Sequence, residues 1–235
     1  MGAVDCLILS VVAVLVAFGV YASFRIGSDV YLKVRCRGRG DRKTIALTFD
    51  DGPDERMTPR VLDVLARHGI RATFFLVGER AERYPGIVRR IVAEGHTIGN
   101  HTTTHSGLFP LRRSARMAAE LERTRRILRT LTGRCVRLFR PPFGVTNPNM
   151  ARAVCAGGYE TVGWSVRSFD TVARIPRRKV LSRMVGRLHP GAVVLLHDRC
   201  EEADRLLEAL IGEAETRGYG FETVDRLFEI EAYED

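Results

Sequence analysis

The stretch TIALTFDDGP, residues 44–53, pairs a short run of β-branched and apolar residues with an acidic, Gly-Pro end. The run predicts a β-strand over 44–49 and a turn directly after it. Adjacent carboxylates at a strand end point to different sides, so one of Asp50 and Asp51 could ligate a metal ion while the other takes a proton from metal-bound water. An ordinary Asp-Gly-Pro turn is the competing explanation for this tetrapeptide alone.

Beyond this stretch the sequence alternates between strand and helix patterns. Further strands are predicted at 71–77, 96–100, 136–139, 160–164 and 192–196. Helices are predicted at 58–67, 81–93, 114–131, 148–155, 177–188 and 203–217. This order is typical of an α/β protein with a parallel sheet, either open or closed into a barrel.

Two observations favour the barrel over the open sheet. No G-x-G-x-x-G or P-loop follows a strand, which removes the commonest reason to expect a nucleotide-binding open sheet. In addition, polar candidates for chemistry follow several successive strands, as expected where the loops at one end of a barrel build a single site.

One of these candidates is HTTTH, residues 101–105, after the third predicted strand. On a helical turn, residues i and i+4 lie on one side, so His101 and His105 could share a metal ion. With a carboxylate from Asp51 they would leave open positions, as in a catalytic site rather than a structural one. A single histidine would more often be a packing or surface residue, but the chain has only six.

Two later segments could complete such a site. In RPPFG, residues 140–144, two prolines fix the loop, and Arg140 could keep Asp50 ionised. In LLHD, residues 195–198, His197 ends a strand and could act as a general acid. Taken singly, a rigid turn with a surface arginine and a packing histidine explain these segments equally well.

Together these segments resemble the motifs of the polysaccharide deacetylase family, which includes chitooligosaccharide (nodulation-type), chitin and peptidoglycan N-deacetylases. The matching segments occur in the family's order, from about residue 44 to the C-terminus; they are 48–53, 101–105, 140–143 and 195–197. The resemblance implies a distorted (β/α) barrel with fewer than eight regular strands. It also implies an enzyme that removes N-acetyl (N-acyl) groups from amino sugars of a glycan or glycolipid.

The resemblance further implies a role for each matching residue. Asp51, His101 and His105 would hold a divalent cation, most often zinc in this family. Catalysis would use Asp50 as base with Arg140 beside it, and His197 as acid oriented by Asp170. The substrate and oxyanion positions would be Pro142, Phe143, Trp164 and Leu195.

The fourth motif departs from the family's pattern. Members often read Trp-Ser-Val-Asp-x-x-Asp-Trp, whereas this chain has WSVRSFDT at 164–171. Asp170 is retained, but Arg167 replaces an acid and Thr171 replaces a tryptophan that would form a wall of the substrate groove. Catalysis is therefore expected to be intact, with an altered fit to the glycan.

The first segment is predicted to anchor the chain in a membrane. Residues 7–24 carry no charge and are long enough, as a helix, to cross the hydrocarbon core of a bilayer. The run is longer than a typical signal peptide's and lacks a basic flank before it, so an uncleaved anchor is favoured over a cleaved signal. The predicted organisation is an anchor at 1–25, a basic stem at 26–42 and a catalytic domain at 43–235.

The side of the membrane is open to two arguments. Glycan polymers are met mostly outside the cytoplasm, so we expect a single-pass protein of the cell membrane with an extracytoplasmic catalytic domain. Seven basic residues after the span favour the cytoplasmic face instead, where the substrate would be a lipid-linked amino sugar; they are Arg25, Lys33, Arg35, Arg37, Arg39, Arg42 and Lys43.

Residue pattern and cysteine spacing argue against a nucleic-acid-binding protein, a zinc knuckle and a disulfide scaffold. The net charge of +9 indicates attraction to anionic surfaces. Nucleic acid is not the expected partner, because the arginine-rich helix at 112–134 has no interleaved aromatic residues. The five cysteines have no C-x-x-C spacing, which argues against a zinc knuckle or a disulfide scaffold and leaves a single disulfide open.

Two other functions compete with deacetylation. One is a membrane-tethered, catalytically inactive glycan-binding protein on the same scaffold, which the altered fourth motif supports. The other is a non-haem iron oxygenase, which also uses two histidines and one carboxylate. The sequence lacks the β-sandwich pattern expected of such an oxygenase, and Asp50 and His197 would have no role in that reaction.

Overall fold

A computed structural model describes residues 2–234 of the chain. The helices are α1 (Ala3–Phe24), α2 (Met57–Arg67), α3 (Gly78–Arg83), α4 (Pro85–Ala93), α5 (Ser114–Thr132), α6 (Pro148–Ala156), α7 (Arg177–Val185), α8 (Ala203–Thr216) and α9 (Val224–Phe228). The strands are β1 (Thr44–Asp50), β2 (Thr73–Leu76), β3 (Thr97–Asn100), β4 (Cys135–Val136), β5 (Leu138–Phe139), β6 (Glu160–Thr161), β7 (Val166–Arg167), β8 (Val193–His197), β9 (Gly220–Phe221) and β10 (Tyr233–Glu234). Short 3₁₀ turns occupy Phe109–Leu111 and Pro142–Gly144.

A curled parallel sheet forms the centre of the domain, in the order β6-β5-β3-β2-β1-β8-β7, with β9 paired to β1. Each neighbouring pair is parallel, and helices connect the strands, which confirms the predicted α/β barrel. Four of these strands have only two residues, so the barrel is distorted, as predicted. β4 lies outside the sheet and pairs with β10 in antiparallel fashion.

Alternation along β1 separates the core from the site. Ile45, Leu47 and Phe49 point outward and pack under the helices in the main hydrophobic cluster. The opposite face carries Thr48 and Asp50, because successive side chains of a strand point to opposite faces. The inner face of β1 is therefore polar at its C-terminal end, while the main apolar core lies between sheet and helices.

Several predicted elements differ from those observed. The helix predicted at 81–93 is two helices, α3 and α4, because Pro85 has no N–H with which to continue a helix. The strand predicted at 136–139 divides into β4 and β5, and that predicted at 160–164 ends at Thr161. The short elements β7, α9 and β10 were not expected.

α1 is long and apolar enough to cross a membrane, by length and composition. The segment after it contacts the barrel rather than projecting from it. Val34 is buried, the backbone of Arg35 pairs with Val162 beyond β6, and Arg37 pairs with Ala192 before β8.

Candidate active site

The C-terminal ends of four parallel strands bring the predicted site residues together. β1 and β8 are in register, so Asp50 lies beside His197. β3 and β5 are likewise in register at their ends, with Asn100 beside Phe139. The residues that follow these strands therefore meet at one end of the barrel, where loops of such folds build active sites.

Asp51, His101 and His105 form one cluster of potential metal ligands. One donor atom of each lies within 4.8 Å of the others. Asp51 Oδ1 is 3.5 Å from His101 Nε2 and 3.2 Å from His105 Nε2. His101 Nδ1 donates to the carbonyl oxygen of Arg140 at 2.8 Å, which orients the ring with Nε2 toward the cluster.

The backbone that presents the two histidines is a loop, so the expected helical turn at 101–105 was wrong. Thr102 and His105 have positive φ angles of 68° and 49°. Side chains support this turn: Asn100 Oδ1 accepts from Thr102 N–H at 2.9 Å, and Thr102 Oγ1 accepts from His105 N–H at 3.1 Å. These local hydrogen bonds compete successfully with a helix and still bring the imidazoles together.

Electrostatics at the cluster favour the deprotonated forms that bind metal ions. Burial would raise the pKa of Asp51, but the hydrogen bond and charge of His101 outweigh it and hold that pKa well below its usual range. Burial, together with repulsion from His101, lowers the pKa of His105 to about 4. At neutral pH Asp51 is thus an anion and His105 a neutral imidazole.

Asp50 forms a buried pair with Arg140. Arg140 has no exposed surface, which excludes the surface arginine that the sequence left open. Its Nη1 donates to Asp50 Oδ1 at 2.8 Å and to Thr48 Oγ1 at 2.7 Å. Its Nε and Nη2 donate to the carbonyl oxygens of Val162 and Gly163, so every branch of the guanidinium has an acceptor.

His197, beside Asp50 at the end of β8, is held by Asp170. Its Nδ1 lies 2.7 Å from Asp170 Oδ1, and its backbone N–H donates to Asp170 Oδ2 at 2.8 Å. Burial would lower the pKa of His197, but the hydrogen bond and charge of Asp170 outweigh it and raise that pKa above its ordinary value. The ring is thereby fixed with Nε2 free.

The predicted substrate positions lie near the candidate catalytic and metal-binding residues. Phe143 is half exposed, and its ring meets that of His105 at a centroid distance of 4.8 Å. Its φ of 61° is left-handed, and its N–H has no acceptor among residues 2–234. Trp164 lies over Arg140 at 5.8 Å, and Leu195 shares the inner face of β8 with His197. Pro142 is buried below Phe143 in the same turn.

The profile of the polysaccharide deacetylase family matches residues 37–162, which is more than half of the chain. The chain belongs to this family. A peptidoglycan-N-acetylglucosamine deacetylase of Bacillus cereus is 35% identical over 196 residues, covering 82% of this chain and 70% of that protein. The predicted family and the prediction of an enzyme are confirmed.

Solved structures of other family members share the fold. The crystal structure of the Bc1960 peptidoglycan N-acetylglucosamine deacetylase, in complex with 4-naphthalen-1-yl-N-oxidanyl-benzamide, superposes with a TM-score of 0.80. It is 32% identical, covering 86% of this chain and 95% of that one. BA3943 of Bacillus anthracis, a pseudoenzyme of the family, is 28% identical with a TM-score of 0.76, covering 82% and 67% of the two chains.

This polysaccharide deacetylase departs from the family's fourth motif at two exposed positions. The guanidinium of Arg167 lies 5.9 Å from the ring of Trp164 and 4.8 Å from that of Phe169. Arg183 approaches Phe169 from α7 at 4.9 Å. Thr171 is exposed. Arg167 is therefore part of an aromatic and cationic stack beside the site, not a partner of its carboxylates.

Two residues that contact the candidate site, Asp198 and Arg199, were not predicted from the sequence. Arg199 Nε donates to Asp51 Oδ2 at 2.8 Å. Asp198 is fully buried, accepts from Thr58 Oγ1 at 2.6 Å, and lies against Gly52. Their position in the sequence could have predicted them, because both follow His197 at the end of β8, where polar residues of this fold converge.

Proposed function

We propose that the protein is a metal-dependent hydrolase that removes N-acetyl groups from amino sugars of a glycan or glycolipid. One observation carries this proposal. A candidate general base, Asp50, and a candidate general acid, His197, each with a charged partner, lie at the same end of the barrel as the ligand cluster. Asp50 is paired with Arg140 and His197 with Asp170, the register between β1 and β8 places Asp50 beside His197, and Asp51 belongs to the ligand cluster.

The donor set fits a divalent cation, and we propose zinc. Two imidazole nitrogens and one carboxylate oxygen suit Zn²⁺, and three protein ligands leave a position open for substrate and water. The carbonyl of Arg140 fixes the His101 tautomer, as partners of ligating histidines commonly do. When bound, the ion would polarise the acetamide carbonyl and increase the acidity of the attacking water.

Asp50 is proposed to take the proton of that water. Its Oδ1 is occupied by Arg140, whereas Oδ2 points toward the cluster, 3.8 Å from His101 Nε2. Arg140 is fully buried and carries a permanent charge, so it holds the Asp50 carboxylate in place as an ion pair. A carboxylate held in this way is a base with a fixed orientation.

His197 is proposed to protonate the departing amine. Nδ1 is engaged by Asp170, so Nε2 carries the proton that can be donated. The raised pKa favours the imidazolium, the form that can donate this proton. The N–H of Phe143, free of an internal acceptor, would stabilise the oxyanion, while Pro142, Trp164 and Leu195 border the acetyl group and sugar.

The alternative function is glycan binding without catalysis. The pseudoenzyme BA3943 shows that this scaffold occurs without activity, and Arg167 and Thr171 alter the fourth motif here. Catalysis is the better supported function, because Asp50, Arg140, Asp170 and His197 all make the contacts that proton transfer requires.

Acetate release by the purified full chain tests the proposal. The substrates are N-acetylchitooligosaccharides, peptidoglycan fragments and amino-sugar lipids. We expect about one divalent ion per chain, with loss of both ion and activity in His101→Ala. Asp50→Asn should retain the ion and lose turnover, whereas the exposed control Asp63→Asn should behave as wild type. Full metal occupancy in His101→Ala, or normal turnover in Asp50→Asn, would contradict the mechanism.

We also propose that α1 is a single-pass anchor, not a cleaved signal, and that the catalytic domain is extracytoplasmic. Ala22, near the end of α1, is fully buried against the domain, which cleavage there would disrupt. The proposed segments are the anchor at 1–25, the basic stem at 26–42 and the catalytic domain at 43–235. Protease treatment of intact spheroplasts tests the location: digestion of the domain supports the outer face, and protection until lysis supports the cytoplasmic one.

A further inference from the structure

Hydrogen bonds join the end of α1 to the loop that carries Phe143. Thr146 N–H donates to the carbonyl oxygen of Ser23 at 2.9 Å, and Thr146 Oγ1 donates to that of Ala22 at 3.2 Å. Ala22 and Thr146 are both buried. The apolar helix therefore ends in direct contact with the catalytic domain.

This junction places the rim of the site close to the end of the span. Phe143 is three residues from Thr146, and three residues extend over about 10 Å at most. Tyr21 in the last turn of α1 is half exposed, with the guanidinium of Arg25 5.6 Å from its ring. An aromatic residue and an arginine at a helix end are typical of the membrane–water interface.

A second segment beside this junction exposes apolar side chains. Phe109 is fully buried and fixes residues 106–113 to the domain, whereas Leu108 and Leu111 are 67% and 80% exposed. They are the two most exposed large hydrophobic residues outside α1 in the part of the chain that the structure describes. Asn147, next to Thr146, donates to the carbonyl oxygen of Pro110 at 2.7 Å, which joins this segment to the junction.

The other exposed hydrophobic residues have a similar distribution. Outside α1 they are Val30, Phe143 and Val172. Val30 lies in the segment after α1, in which Leu32 packs on the cluster containing Phe109. Only Val172 lies in none of the segments that meet at the end of α1. Exposed apolar side chains of the domain are thus concentrated where it meets the proposed anchor.

Exposed basic residues lie in or next to the segments that carry these apolar side chains. Arg25, Lys33, Arg113 and Arg116 are exposed, and none has a carboxylate within 4.0 Å among residues 2–234. Apolar side chains with unpaired basic residues around them are the combination that binds the surface of an anionic bilayer.

We propose that residues 106–113 dock on the lipid bilayer beside α1, with Leu108 and Leu111 inserted at the level of the headgroups. This inference rests on the anchor described under the proposed function and deepens it. The opening of the site, bordered by Phe143, would then face the membrane surface. Its substrate would be an amino sugar presented there, either on a lipid carrier or in the membrane-proximal part of a glycan.

Fluorescence quenching by brominated lipids tests this docking. The full-length chain is reconstituted in vesicles of phosphatidylcholine with about a quarter phosphatidylglycerol, which gives an anionic surface. A Leu111→Trp variant is compared with Glu213→Trp, an exposed control position on α8. That helix packs on α2 and α7 and has no hydrogen bond to residues 22–34 or 106–113 in the described structure. The wild-type chain, measured in parallel, gives the background fluorescence of Trp164, the single tryptophan of the sequence.

We expect lipids brominated near the headgroup end of their chains to quench Leu111→Trp about twofold more than Glu213→Trp, because only an inserted side chain meets the bromine atoms. Equal quenching of the two variants would overturn the proposal. The measurement does not depend on turnover, so docking stands if it is observed in a chain that releases no acetate.

A second variant distinguishes lipid from glycan as the partner of the two leucines. Leu108→Ser/Leu111→Ser changes exposed side chains only and should fold as wild type. In detergent, with a soluble N-acetylated oligosaccharide, we expect its turnover to remain within about twofold of wild type, as for surface substitutions generally. A larger loss would show that the leucines contact the glycan, and the lipid assignment would be wrong.

Discussion

Arg199 Nε donates to Asp51 Oδ2 at 2.8 Å, while the other oxygen of the same carboxylate, Oδ1, lies 3.2 Å from His105 Nε2. One carboxylate thus divides its two oxygens between an arginine and the ligand cluster. Burial would lower the pKa of Arg199, but the hydrogen bond and charge of Asp51 outweigh it and raise that pKa. The orientation of Asp51 is fixed by a residue outside the cluster.

Replacing this arginine should weaken metal binding. We expect Arg199→Ala to lower the affinity for Zn²⁺ by about tenfold or more, as loss of a residue that orients a ligand commonly does. The positive charge of Arg199 opposes a cation, but its side chain is 41% exposed and solvent screens that repulsion, so the positioning effect should dominate. Competition with a zinc-binding dye measures the affinity. Arg205→Ala, an exposed neighbour on α8, is the control, and unchanged affinity in Arg199→Ala would contradict the argument.

Arg140 should be essential for folding as well as for catalysis. In Arg140→Met, Asp50 keeps its burial and loses its charged partner, which costs about 3–5 kcal/mol in the free energy of unfolding. Urea denaturation measures this loss. Arg116→Met, at an exposed position without an ion pair, should change stability by less than about 0.5 kcal/mol. Similar values for the two variants would show that the buried pair contributes little.

The sequence was sufficient to predict which residues meet, because strand ends of a parallel sheet converge whatever the loop conformations are. Asp50 and His197 illustrate this, since register between β1 and β8 places them side by side. It was insufficient for the loop at 101–105, where hydrogen bonds from Asn100 and Thr102 replace the helical turn that spacing suggested. Hydrogen bonds of this kind depend on backbone angles that residue spacing does not encode.

Contacts between distant segments were also beyond the sequence. A Cβ atom on Gly52 would lie 2.3 Å from Asp198 Oδ2, so glycine is required there by a residue 146 positions away. In the same way, the predicted stem looked like a polar tether, yet Val34 and the backbone of Arg35 pack on the barrel. Such contacts join residues far apart in the sequence, so the composition of a short segment does not predict them.

The pair of His197 and Asp170 predicts a shift in the pH dependence of deacetylation. His197 must be protonated to donate, so activity falls as pH rises through its pKa. Asp170 raises that pKa, and Asp170→Asn should therefore move the basic limb of the profile to lower pH. The pH dependence of kcat/KM measures the shift. A basic limb at the wild-type position, with reduced rates only, would mean that Asp170 acts on geometry and not on charge.

Asp198 predicts a pH dependence of stability that does not involve catalysis. Burial raises its pKa to about 7, and Oδ1 has no hydrogen-bond partner in the described structure. Between the ordinary carboxyl pKa of 3.8 and about 7, the folded chain holds a proton that the unfolded chain has released, so the free energy of unfolding falls as pH rises. At about 1.4 kcal/mol per unit, the loss reaches up to about 4 kcal/mol and is complete above pH 7.

Asp198→Asn cannot ionise, so its stability should fall less than that of wild type over this pH range. Urea unfolding from acid to neutral pH, with a chelator present so that metal binding does not contribute, measures the two slopes. Asp63→Asn, whose side chain is 57% exposed, should retain the slope of wild type. If Asp198→Asn also retains that slope, Asp198 is ionised in the folded chain, and its burial is compensated by groups other than the Thr58 hydroxyl.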